Sequence, residues 1–285
     1  MEKKLELHGP VVLVRGAGEQ ATGVGWALAK AGFRVVMTEV PKPLMVRWPV
    51  CFGTAVVKGN WQVEEISASL VADSESCGPA WETGIVPILI DPELHCIASL
   101  KPTFLVDAIL AKRNIGTRRD MAAFTIGLGP GFTAGADVDL VVETNRGHNL
   151  GRLIYTGSAE PNTGIPGNIG GYTKERVLYS SKAGIFKAQK DIGEKVQAGD
   201  CVGLIEDGTD SQRICAGIDG VLRGLLMDNT PIDPAVKVGD IDPRGNKEYC
   251  YTISEKARAI GSAVLLGMME SKLLHSPRLK NEHSN

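Results

Sequence analysis

Val12-Leu-Val-Arg-Gly16-Ala-Gly18-Glu-Gln-Ala21 joins an apolar run to a glycine turn and then to the polar opening of a helical pattern. The apolar core Val11–Val14 reads as a buried strand, Thr22–Ala31 as an amphipathic helix and Phe33–Glu39 as the next strand. Strand, glycine turn, helix and strand in that order predict the start of an α/β fold. The turn has the G-x-G-x-x-A form of a dinucleotide fingerprint, in which glycines let the backbone approach a pyrophosphate at a helix N-terminus. Glu39 ends the second strand 21 residues after Gly18, where an acid would meet a ribose 2′-hydroxyl and favour NAD over NADP. Gly16, Gly18, Gly23 and Glu39 are therefore candidate cofactor-binding residues. Glu19 argues the other way. A carboxylate about 5 Å from a bound phosphate, at an effective dielectric of about 20, repels it by roughly 3 kcal/mol. The competing reading is a βαβ start whose glycines serve packing, with Glu19 favourable to the helix dipole.

Composition limits the rest. The chain has 285 residues, 31 Lys+Arg against 33 Asp+Glu, and a formal charge of −2. That balance gives no basic surface for nucleic acid. Glycine is in excess, 34 residues or about 12% against roughly 7% in average usage, so much of the chain is turn. The longest apolar stretch, Ala259–Met269, is too short and broken to span a bilayer, and Met1–Leu7 is charged rather than signal-like. The six cysteines at 51, 77, 96, 201, 215 and 250 form no C-x-x-C pair, which predicts neither zinc nor a disulfide framework. A reduced, cytoplasmic protein is the expectation, with no metal, no membrane contact and room for homo-oligomerisation.

Texture divides the chain into four parts. Residues 1–115 predict a Rossmann-like α/β part, with Ile85–Ile90 and Phe104–Leu110 as further buried elements. Residues 116–180 form a glycine-rich β region that continues the core. Residues 181–245 carry a repeat: Gly184-Ile-Phe-Lys187 recurs as Gly220-Val-Leu-Arg223, and Val196-Gln-Ala-Gly-Asp200 as Val236-Lys-Val-Gly-Asp240. This doubling resembles the barrel-sandwich fold of biotinyl and lipoyl carriers. Glu206–Gln212 contains no lysine to take a swinging cofactor, so the resemblance implies fold alone. Residues 246–285 predict a closing helix capped by Ser254 and a disordered tail.

The chemistry concentrates between Asp107 and His148. Asp107 lies in an apolar run and needs a partner, which Lys112 or Arg113 could supply; the structural reading of that pairing is preferred. Gly129-Pro-Gly131 follows another apolar strand, and Arg146-Gly-His148 sits in a glycine-rich turn able to hold an anion or act as an acid/base site. A set of β-turns with a surface arginine is the alternative, and the composite ligand site is the reading favoured. Cys51, following Arg47-Trp-Pro-Val50, is a candidate reactive thiol, as Asp107 and His148 are candidate catalytic groups; free cysteines are more often inert.

Several long motifs resemble the YqeB family of accessory proteins for selenium-dependent molybdenum hydroxylases. They are Arg15-Gly-Ala-Gly-Glu-Gln-Ala-Thr-Gly23, Val106-Asp-Ala-Ile-Leu-Ala-Lys-Arg-Asn114, Gly127-Leu-Gly-Pro-Gly-Phe132 and Glu143-Thr-Asn-Arg-Gly-His148. Asn162-Thr-Gly-Ile-Pro-Gly167, Asp219-Gly-Val-Leu-Arg-Gly224 and Gly239-Asp-Ile-Asp-Pro-Arg244 continue the resemblance, which runs from about residue 9 to 270. It implies a maturation factor with a selenium-dependent molybdenum hydroxylase as partner, binding the molybdenum cofactor or a selenium species as a small anionic ligand. The ligand would lie at the junction of the Gly16 loop, the Gly129 loop and Arg146/His148. The alternatives are an NAD-dependent oxidoreductase that uses the nucleotide-binding fingerprint, and a non-catalytic scaffold that docks the hydroxylase.

Overall fold

The computed structural model describes residues 7–208, 210–271 and 273–275. Its chain divides into two units. The first comprises Met1–Pro43, Phe52–Asn162 and Ile253–Asn285; the second comprises Leu44–Cys51 and Thr163–Thr252.

Unit one is built on β1 (Val11–Arg15), β2 (Arg34–Glu39), β3 (Asn60–Val63), β4 (Ile66–Leu70), β5 (Val86–Ile90), β6 (Phe104–Asp107), β7 (Phe124–Leu128), β9 (Leu140–Val142) and β10 (Leu153–Ile154), in the order β10-β9-β7-β6-β1-β2-β5-β4-β3. A two-stranded ribbon, β8 (Thr133–Ala134) with β11 (Gly157–Ser158), stands apart from it. The seven inner strands are parallel, and the edge strands β3 and β10 run antiparallel. A strand covered on both faces reads as a continuous apolar run. All five residues of β1 are buried, and each Val or Leu so placed contributes about 1.5–3 kcal/mol.

The helices are α1 (Glu19–Lys30), α2 (Thr54–Lys58), α3 (Cys77–Glu82), α4 (Ile97–Leu100) and α5 (Glu255–Glu270). Helix α1 is buried over more than one face. Gly25 meets Met37 of β2 and Phe52, while a Cβ at Gly23 would stand 2.5 Å from the Ala257 carbonyl oxygen of α5. The reciprocal glycine is Gly261, whose Cβ would strike the carbonyl of Gly23. Ser254 caps α5, accepting from the Ala257 amide at 3.3 Å and donating to Glu19 Oε1 at 2.8 Å. The tail beyond residue 275 lies outside the described residues.

The expected fold class is corrected. No boundary falls at residue 115, because β6 and β7 are parallel hydrogen-bonded neighbours, with Phe104 opposite Phe124 and Asp107 opposite Gly127. In place of a Rossmann-like part ending at residue 115, one large mixed sheet runs on to Ile154 and takes up the start of the glycine-rich region.

Unit two holds two antiparallel sheets of four strands rather than the expected barrel-sandwich module. One has the order β12-β19-β17-β14, from β12 (Val177–Tyr179), β14 (Lys195–Val196), β17 (Gly220–Leu225) and β19 (Lys237–Asp242). The other is β16-β15-β13-β18, from β13 (Gly184–Ala188), β15 (Cys201–Glu206), β16 (Ser211–Cys215) and β18 (Thr230–Ile232). The sheets recruit residues from outside 181–245: β12 pairs with β19, and the Leu225 amide donates to the Val46 carbonyl at 2.8 Å. The sequence repeat survives in the pairing. The first strand of each copy, β13 or β17, pairs with a short strand of the other copy, β18 or β14. Asp242 is buried between Arg223 and Arg244; its burial opposes ionisation, and the hydrogen bonds from Arg244 outweigh it and hold the carboxyl below its usual range.

Candidate functional site

In a parallel sheet the open crevice lies beyond the carboxyl ends of the strands, at the point where strand order reverses. Here that point is β1, flanked by β2 on one side and β6 on the other. Arg15 ends β1 and stands in register with both Thr38 of β2 and Asp107 of β6. Its buried guanidinium donates from Nη1 to Asp107 Oδ2 at 3.3 Å, to Thr117 Oγ1 at 3.1 Å and to the Ile115 carbonyl at 3.2 Å. Nη2 donates to the Pro92 carbonyl at 3.1 Å, and Thr117 donates to Asp107 Oδ2 at 2.6 Å. Asp107 is thus held by Arg15 and Thr117, not by the neighbouring cations that the sequence suggests. Lys112 and Arg113 are exposed, with no side-chain hydrogen bond or ion pair among the described residues.

The glycine loop is largely closed by the chain itself. The Ala17 amide, one of the donors a pyrophosphate would need, donates to Glu39 Oε2 at 2.9 Å, and Glu39 Oε1 accepts from Val40 at 2.8 Å. Gly16 has φ +97°, and its amide donates to the Thr38 carbonyl. Gly23 serves the α1–α5 crossing; Gly18 alone of the three faces open space. Gly129 closes on Thr144, and a Cβ at Gly131 would lie 2.5 Å from the backbone nitrogen of Arg113. Arg146 pairs with Glu255, while His148 is exposed with no hydrogen bond among the described residues. Cys51 belongs to unit two, where it is buried and its thiol donates to the Arg47 carbonyl at 3.1 Å.

Three further residues stand at this edge, none of them marked as a site residue by local sequence chemistry. Glu143, at the end of β9, is buried and accepts from the Asn145 amide at 2.6 Å and the Glu160 amide at 2.7 Å. Lys256, in the first turn of α5, is half-buried with no hydrogen bond or ion pair among the described residues. Burial first, then the neighbouring Arg146 charge, push its ammonium below the usual lysine range, against the pull of Glu19, Glu143 and Glu255. The fold therefore disfavours the charged form. That cost is fully present at neutral pH and fades as pH rises towards the ordinary lysine value of about 10.4. Lys256→Met is expected to stabilise the protein at about pH 7 and to do so less at about pH 10. Denaturant titrations at both values check this, and an equal loss of stability at the two would refute it.

The third residue is Arg152. It borders a cleft of about 370 Å³ with Glu143, Asn149, Leu153, Ile154, Tyr155, Thr156, Ser158 and Glu160. The Arg152 side chain has no hydrogen bond or ion pair among the described residues. Glu160 accepts from Asn149 Nδ2 at 2.9 Å and Asn145 Nδ2 at 2.6 Å, donors that hold its carboxyl below the usual range. Burial and a hydrogen bond to Glu270 push the Tyr155 phenol up to about 12, so it remains a donor. Among the described residues no three His, Cys, Asp or Glu side chains are grouped to hold a metal ion, and no helix is long and apolar enough to cross a membrane.

No family model matches the chain. It is similar to YqeB of Escherichia coli (strain K12), described as an uncharacterized protein, with 46% identity over 259 residues, 91% of this chain and 47% of the relative. The chain thus spans about half the length of that relative. Among solved structures, product-bound EutE (DoeB) from Ruegeria pomeroyi, an ectoine utilization protein, is 11% identical with a TM-score of 0.26, covering 82% of this chain and 85% of that one. An aspartoacylase family protein from Mesorhizobium loti is 12% identical with a TM-score of 0.28, covering 82% and 85%. A succinylglutamate desuccinylase/aspartoacylase from Rhodobacter sphaeroides is 15% identical with a TM-score of 0.26, again covering 82% and 85%. Such low scores carry neither substrate nor mechanism to this chain. The expected maturation role is corrected: the relative that matches most of the chain is described only as uncharacterized, so no selenium or molybdenum role reaches this chain. The oxidoreductase and hydroxylase-scaffold alternatives are set aside with it. Over the 259 matched residues, 91% of its length, the chain is similar to YqeB, and this similarity supports kinship with that family.

Proposed function

We propose that unit one binds a small zwitterion of the α-amino-acid class in the cleft bordered by Arg152, Glu143 and Glu160. The reading rests on one observation: a guanidinium without a protein partner among the described residues shares a cleft with two carboxylates. Its volume, about 370 Å³, falls within the range of small-molecule sites. Arg152 offers a planar fork suited to a carboxylate. Each oxygen of Glu143 and Glu160 already accepts one hydrogen bond and keeps a lone pair for an ammonium group. The hydroxyls of Thr156 and Ser158 lie along the same wall, and the Tyr155 oxygen, whose proton goes to Glu270, can accept there.

Isothermal titration with a panel of the common α-amino acids tests the proposal, with monocarboxylates and monoamines as single-charge controls. Binding of at least one amino acid is expected. Arg152→Met should weaken it tenfold or more, since a hydrogen bond to a charged group contributes about 1.5–3 kcal/mol. Thermal stability should hardly move, because the Arg152 side chain is exposed and makes no hydrogen bond or ion pair among the described residues. No heat of binding at about 10 mM ligand, or binding unchanged in Arg152→Met, would overturn the assignment.

A further inference from the structure

Cys201 opens β15 and Cys215 closes β16, and the two stand directly opposite one another in the antiparallel hairpin. Residues so paired have Cα atoms about 4.5 or 5.5 Å apart, within the roughly 4.4–6.8 Å that a disulfide spans. A register shift between Cys201 and Gly203 sets Val202 into the core, while Cys201 remains partly exposed. On β16 the alternation is regular: Ile214 is buried, and Arg213 and Cys215 face solvent on either side of it. The Cys201 thiol lies 3.4 Å from the Gly203 carbonyl, and the Arg213 guanidinium stands beside Cys201 and Cys215.

We infer that Cys201 and Cys215 form a cross-strand dithiol that undergoes exchange with low-molecular-weight disulfides. This site lies in unit two and is independent of the zwitterion cleft. The pair is accessible where the other four cysteines are buried. Three of those four are also poor thiolate sources. Burial and Asp73 push the Cys77 thiol up to about 12, burial and the Asp91 hydrogen bond push Cys96 up further, and burial raises Cys250. Exchange requires an accessible sulfur nucleophile with a second sulfur within reach, and Cys215 and Cys201 stand so placed.

The chemistry balances without a further reactant. The exposed Cys215 thiolate attacks one sulfur of the small disulfide, whose S–S bond breaks and expels one thiolate as the mixed disulfide forms. The Cys201 thiolate then attacks the Cys215 sulfur, closes the intramolecular disulfide and expels the second thiolate. The two protons lost by the protein thiols are taken up by the two released thiolates. The protein dithiol is oxidised, and the small disulfide is reduced to two thiols.

The test treats the fully reduced chain with oxidised glutathione, quenches with acid and maps the peptides by mass spectrometry. Expected is a Cys201–Cys215 linkage without retained glutathione, together with a stable glutathione adduct on Cys215 in Cys201→Ser. Arg213→Gln should slow the reaction by about threefold or more, through loss of the cation that stands beside both sulfurs where the negative charge passes during exchange. Phenylarsine oxide gives an independent readout: one arsenic should bridge the two sulfurs in the wild type and in neither serine variant. Separate glutathione adducts on the two cysteines, linkage to another cysteine, two unreacted thiols, or an arsenical adduct that survives in Cys215→Ser would each overturn the proposal.

Discussion

Gly261→Val is expected to lower the melting temperature of the protein by about 6–12 °C, equivalent to about 3 kcal/mol of overpacking in a unit of this size. The α1–α5 crossing has no room for a side chain. A Cβ on Gly261 would strike the Gly23 carbonyl, and one on Gly23 would stand 2.5 Å from the Ala257 carbonyl and 2.8 Å from its Cβ. The obstruction is helix backbone, so no rotamer change relieves it, and one helix must shift from the sheet or from its partner. Gly23→Val should behave in the same way. Gly18→Ser is the control: Gly18 is extended at φ −72°, its Cβ direction is open, and serine is a favoured N-cap. Thermal melts of the three variants decide the matter. A Gly261→Val midpoint within about 2 °C of wild type would show that the crossing yields more easily than packed backbone should.

That crossing also shows what a sequence can convey. Val11–Arg15, the helix that follows and Arg34–Glu39 are each marked by local chemistry: a continuous apolar run, a helical period, a second run ending in an acid. Helix α5 is marked in the same way by Ser254, which caps it as expected. What local chemistry does not carry is strand order. The rise in glycine after residue 115 looks like a change of architecture. Gly129 at φ +73° and Gly131 at φ +111° in fact turn the chain between β7 and β8, and the next sheet strand, β9, joins the sheet already begun. The repeat at 184–187 and 220–223 is legible, but the exchange of strands between its copies is a matter of pairing and leaves no mark in composition.

The sites divide on the same line. Asp107 inside an apolar run announces that it needs a partner, and sequence proximity offers Lys112 and Arg113. The partner is Arg15, 92 residues earlier, because β1 and β6 are neighbours that place Arg15 opposite Asp107. Glu39 is recognisable as a strand-ending acid, yet it turns back onto the Ala17 amide rather than leaving that donor free. Arg152 and Lys256 have no motif; each becomes notable through the lack of a protein partner, which only packing reveals. Cys201 and Cys215 are 14 residues apart, a spacing that means nothing until a hairpin sets them opposite one another.

Arg15→Met should be the costlier loss at the β1 edge, at about 3–5 kcal/mol, because it leaves the buried Asp107 carboxylate without its counter-charge. Thr117 and the Ile109 amide still donate to Asp107, at 2.6 and 3.2 Å, so part of the carboxylate's solvation survives and the lower end of that range is the better expectation. Removing both charges tests whether desolvation is the cause. In Arg15→Met/Asp107→Leu no ion remains buried at this point, and the Thr117 hydroxyl can turn to another acceptor. The double variant should therefore be more stable than Arg15→Met alone, by about 1 kcal/mol or more, since a buried ion pair replaced whole by apolar groups is often neutral. Urea denaturation of the single and double variants measures the difference. Losses that simply add would mean that the pair contributes through its packing and its bonds to Ile115 and Pro92, with the charge of Asp107 of little account.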